Sequence, residues 1–86
     1  MSKLKQYRHS IDLLDQALVC LITERMKIVK KVGEFKKEQE IVPLDQKRWN
    51  QVINSKRKLA TKCGVDPKLV EDILELIHEK ALEIEK

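Results

Sequence analysis

Two cations stand where an amphipathic helix should be apolar. In CLITERMKIVKKVGEFKK, residues 20–37, Arg25 and Lys36 are eleven residues apart. On a helix that is almost three full turns, so both project from nearly the same face, about 16 Å apart. Leu18, Ile22, Val29 and Val32 surround them. Arg25 also interrupts a seven-residue repeat. Leu4, Ile11, Leu18 and Val32 hold one heptad position, and Tyr7, Leu14, Leu21, Ile28 and Phe35 hold the other. A guanidinium on a buried seam is costly unless something negative meets it. The pair therefore outlines a pocket for a ligand with separated negative groups. The competing reading is structural: Lys36 snorkels to solvent and Arg25 pairs with a glutamate of a later helix.

Three other polar residues bear on that pocket. Arg8 lies seventeen residues before Arg25, about 100° away around the helix, so it can serve only a neighbouring chain's cavity or solvent. Glu85 follows Ala81 by four residues and Leu74 by eleven, which places it on the inner face of the last helix. A carboxyl group there either pairs with a cation such as Lys36 or stays protonated as a hydrogen-bond donor; a frayed terminal glutamate is the plain alternative. Arg48, in the first turn of the second helix, is poorly placed for the helix dipole, a weak sign of use against a default of surface decoration. His9, His78, Cys20 and Cys63 have no metal-ligand spacing, so no metal is assigned.

The elements that must position these groups are helices. Only two glycines and two prolines occur in 86 residues, which favours long uninterrupted helices. The first runs from about 4 to about 40. Gly33, its only interior breaker, marks a place where another backbone or a ligand comes close. Pro43 stops it by pushing Val42 out of the helical region, and Asp45 caps the next helix. The second helix covers about 46 to 62, with Trp49, Val52, Ile53 and Ala60 inward. Gly64 ends it, Asp66 caps the third helix, and Pro67 takes that helix's first position. The third runs from about 67 to 85, with Leu69, Val70, Ile73, Leu74, Ile77, Ala81 and Ile84 apolar.

The expected fold is thus all-α, one long helix and two shorter ones, in a single domain over residues 1–86. A helix of about 55 Å outruns a globule of this size and leaves its heptad stripe wet. A homodimer packing two long helices along their stripes resolves this. At 37% charged and 42% hydrophobic residues, with three aromatics (Tyr7, Phe35, Trp49), the core is thin and aliphatic. The net charge of +4 suits either a solvated surface or an anionic partner. Basic and acidic residues are interleaved without an aromatic platform, which argues against nucleic acid. MSKLKQYRHS lacks a signal-peptide core and no apolar run is long enough for a membrane, so a cytoplasmic protein with reduced thiols is expected.

The segment RHSIDLLDQALVCLITERMKIVKKVGEFK resembles the first helix of the all-helical chorismate mutases, the AroQ type. Arg8, Ile11, Asp12, Asp15, Arg25, Val32, Gly33 and Lys36 fall at the family's spacings without a gap, and PLDQKR (Pro43, Asp45, Arg48) is similar to the opening of its second helix. The resemblance implies an intertwined homodimer with two equivalent sites. Arg25 and Arg48 would grip the carboxylates of chorismate, Arg8 would arrive from the partner subunit, and Asp45, Trp49 and Ala81 would complete the substrate-contacting set. Lys36 and Glu85 would be catalytic, both donating to the ether oxygen, and Gly33 would belong to the same pocket. Glu85 could donate only when protonated, so activity would fall as pH rises through its titration. The rearrangement to prephenate, in the shikimate pathway, is intramolecular and implies no cofactor.

The sequence departs from the family at two positions. The residue after Arg48 is commonly a glutamate that binds the ring hydroxyl and is here Trp49; the residue four before Glu85 is often small and polar and is here Ala81. Isochorismate pyruvate lyases share the fold and also lack that glutamate. The lyase, an enzyme for an amino-substituted chorismate, and a non-catalytic helical dimerisation module are therefore the alternatives.

Overall fold

The computed structural model describes residues 2–43 and 45–85. It contains three helices, α1 (Lys3–Glu38), α2 (Gln46–Cys63) and α3 (Pro67–Glu85), and no strand among the described residues. At about 1.5 Å per residue, the 36 residues of α1 extend about 54 Å and set the 57 Å long axis of the molecule. α2 and α3 form an antiparallel hairpin. Trp49, near the start of α2, meets His78, late in α3, while Arg57 Nη1 lies 3.3 Å from Glu71 Oε1 nearer the turn. α3 packs against both of the other helices.

The boundaries follow from local chemistry. Ser2 Oγ accepts the Lys5 N–H at 3.2 Å and starts α1. Asp45 Oδ1 accepts the Arg48 N–H at 3.0 Å at the start of α2, and Asp66 Oδ1 accepts that of Lys68 at 3.0 Å ahead of α3. Pro67 occupies the first position of α3, where its missing N–H leaves no bond unmade. Gly64 takes the left-handed conformation (φ 80°) that closes α2.

The end of α1 differs from expectation. The helix stops at Glu38 because Glu40 enters the left-handed region (φ 57°), before Pro43 is reached. Ile41 N–H then donates to Lys36 O at 2.7 Å, and Glu40 N–H to Lys37 O at 3.2 Å. This is the paired-bond cap usually built around glycine. A glutamate there costs about 1 kcal/mol.

The core is as thin as the composition suggests: Trp49, Ala60 and Ala81 are its buried apolar residues. Val52, Ile53, Val70, Leu74 and Ile77 are half-buried around them. Leu69, Ile73 and Ile84, apolar residues of the same helix, are exposed, together with Leu76. They form a second apolar stripe along α3. The heptad residues of α1 are exposed throughout, Leu14 at 66% and Leu21 at 67%.

Candidate active site

The second half of α1, the start of α2 and the end of α3 enclose a cavity of about 410 Å³. Arg25, Lys36, Asp45, Arg48, Trp49, Ala81 and Glu85 all line it. These are seven of the nine residues that the resemblance assigns to the pocket; Arg8 and Gly33 are the other two. Ile28, Val29, Val32 and Val52 supply apolar walls. Arg8 is exposed on α1, about 25 Å before Arg25 along the helix, and does not line the cavity of its own chain.

Arg25 is buried differently from the way its heptad position suggests. The stripe on which it falls is open in the chain, yet its Nη1 is fully buried where the cavity closes. That nitrogen has no hydrogen-bond partner among the described residues. Nor does any ion pair join Arg25 to a glutamate of α3 among the described residues, where the paired glutamates meet Lys36, Arg57, Lys68 and Lys80. A buried donor without a partner costs about 1–3 kcal/mol, and more for a charged group. The position is expensive for the fold and suited to an anion.

Lys36 is held from two sides. Its Nζ donates to Pro43 O at 2.6 Å and lies 3.0 Å from Glu85 Oε1, with the side chains 20% and 9% exposed. Lys36 stands in the last turn of α1, where the helix dipole favours a cation. The turn that follows folds around it, taking its backbone carbonyl through Ile41 and its ammonium through Pro43. An ammonium has three N–H donors. One is committed to Pro43 O, and the Glu85 carboxylate holds the ammonium from the other side as an ion pair.

Gly33 acts behind the cavity and is not among the residues lining it. A Cβ there would sit 2.9 Å from the Glu85 Cα. The missing side chain lets the backbones of α1 and α3 meet, and that contact delivers Glu85, itself buried at 7%, to Lys36. Asp45 lines the cavity, but one of its oxygens is occupied by the helix cap.

His78 is the lining residue that sequence reasoning passed over. Its ring stacks on Trp49 with centroids 3.8 Å apart and planes 6° from parallel. A signal was present: His78 precedes Ala81 by three residues and Glu85 by seven, on the same helical face. Trp49 is therefore both a core residue and a cavity wall.

The fold and this site define an all-helical domain with three cations gathered about an apolar-walled cleft. Residues 7–86 match the family described as chorismate mutase type II. The chain is 32% identical over 85 residues to the chorismate mutase of Methanocaldococcus jannaschii, covering 96% of this chain and 86% of that protein. It is also 32% identical over 81 residues to the T-protein of Enterobacter agglomerans, covering 94% of this chain and 22% of that one. For the T-protein of Haemophilus influenzae the match is 32% over 74 residues, 86% of this chain and 20% of the other. The chain spans about a fifth of the length of these T-proteins. It belongs to the chorismate mutase type II family.

Proposed function

We propose that this chain is an isomerase, a chorismate mutase that converts chorismate to prephenate as a homodimer, each copy contributing one domain. The observation that carries the reading is the buried Nη1 of Arg25, which lacks a hydrogen-bond partner among the described residues on the wall of a cavity that also holds Lys36 and Arg48. Chorismate brings two carboxylates. In this reading Arg25 takes one and Arg48 the other, and both clamp the enolpyruvyl group over the ring. Holding reacting atoms in that geometry removes much of the entropic barrier of an intramolecular rearrangement.

As the carbon–oxygen bond breaks, negative charge builds on the ether oxygen. The Lys36 ammonium is held in place by Pro43 O and the Glu85 carboxylate, so it stabilises that charge without reorganising. One such donor is worth about 10²–10³ in kcat. Glu85, paired with Lys36 in the structure, contributes by fixing that ammonium at 3.0 Å. No nucleophile enters the reaction.

The homodimer is supported by two exposed apolar stripes, one along α1 and one along α3, that a second copy would cover. It also gives Arg8 a task, since a crossing α1 would carry Arg8 into the partner's cavity. No helix is long and apolar enough to cross a membrane, and the cytoplasm is the proposed location.

The test is to incubate purified protein separately with chorismate and isochorismate and to identify the products. Prephenate from chorismate supports the reading. Salicylate and pyruvate from isochorismate alone would replace it with the lyase, and no product from either would leave a non-catalytic helical module.

A further inference from the structure

The polar side chains of the cavity divide by what they can recognise. Arg25, Lys36 and Arg48 are cationic donors suited to carboxylates and a developing oxyanion. Asp45 gives one oxygen to the Arg48 N–H and as a carboxylate can only accept, and Glu85 is paired with Lys36. His78 remains. It lines the cavity and makes no hydrogen bond among the described residues.

The stack on Trp49 determines what His78 can offer. With ring planes 6° apart and centroids 3.8 Å apart, the indole covers one imidazole face and fixes the ring. Both ring nitrogens lie in the imidazole plane, so stacking leaves them free at the edge. A neutral imidazole carries one donor and one acceptor. That pair complements an alcohol, which both donates and accepts, whereas the cations can only donate. Neighbouring groups cannot take this part: Ala81 has a methyl, and the Trp49 indole has a donor alone.

We propose that His78, braced by Trp49, recognises the hydroxyl group on the substrate's ring and so sets which ring the cavity accepts. The proposal rests on the reaction proposed above. It makes the Trp49–His78 pair one device, in which the tryptophan holds the plane and the histidine presents the edge.

The experiment compares kcat/KM for chorismate and for its analogue lacking the ring hydroxyl, in the wild type and in His78→Phe. Phenylalanine keeps an aromatic ring against Trp49 and removes both nitrogens. The wild type should prefer the hydroxylated substrate at least about tenfold, the order of one good hydrogen bond. In His78→Phe the preference should collapse towards one, with chorismate losing about tenfold and the deoxy analogue changing less than about twofold. His78→Gln, which keeps a donor and an acceptor, should retain part of the preference. Equal losses on both substrates would show a merely structural histidine and overturn the proposal, as would an unchanged ratio. If His78→Phe does not fold, His78→Leu read by the same ratio decides. A wild type active on both substrates without preference overturns hydroxyl recognition alone; one inert on both overturns the reaction with it.

Discussion

Replacing Arg25 by methionine should make the protein more stable and nearly inactive. The Arg25 Nη1 is fully buried and lacks a hydrogen-bond partner among the described residues. Such a group costs about 1–3 kcal/mol, and methionine of similar length replaces it without a polar atom. Its neighbours one turn on, Ile28 and Val29, and two turns on, Val32, are apolar and line the same cavity. A net gain of about 1 kcal/mol follows, which in a chain of 86 residues raises Tm by about 4–8 °C. Loss of a charge-assisted clamp on a carboxylate costs the reaction about 3–4 kcal/mol, or roughly 10²–10³ in kcat/KM. Thermal unfolding followed by circular dichroism gives the first number, at matched protomer concentration because association shifts Tm. Disappearance of chorismate gives the second. A variant less stable than the wild type would refute the reasoning, since the guanidinium would then be satisfying the fold. Full turnover in the variant would refute the site.

Gly33→Ala should destabilise by about 1–2 kcal/mol despite alanine's better helix propensity, because its Cβ would meet the Glu85 backbone at 2.9 Å. The same variant should lose activity through displacement of Glu85 from Lys36, and a stabilised, fully active variant would contradict the packing argument. Glu40→Gly should stabilise by about 0.5 kcal/mol in chemical denaturation, since glycine adopts φ 57° without strain; a less stable variant would contradict the cap.

Much of this fold is legible in the sequence because its punctuation acts locally. Asp45, Gly64 and Asp66 each end or begin a helix through bonds within four residues, Pro67 takes a first position that needs no N–H, and all four stand where the sequence places them. The end of α1 is harder to read, since a glutamate in the left-handed region carries no compositional mark. The cavity's cations are legible as polar residues on an apolar face. Their partners are less so, because pairing depends on which helices meet. Arg25 faces no carboxylate, and Lys36 does, for a reason visible only once Gly33 is seen under the Glu85 backbone. His78 escaped because a lone histidine at helical spacing resembles any half-buried surface residue until Trp49 is found against it. The division of α3 into an inner face and an outer stripe likewise needs the fold. Leu69 and Ile73 are as apolar as Val70 and Leu74, and only packing separates them.

The most direct measurement of the central claim is chorismate turnover by a mixture of two crippled variants, Arg8→Ala and Arg25→Ala. If each cavity takes Arg25 from its own chain and Arg8 from the other, either variant alone should be at least about a hundredfold below the wild type. Subunit exchange at equal amounts makes half the dimers mixed, and each mixed dimer carries one intact site. The mixture should therefore recover roughly a quarter of wild-type prephenate formation. A mixture no more active than its components, in protein whose wild type forms prephenate, would contradict the shared site; a wild type that forms none would contradict the reaction.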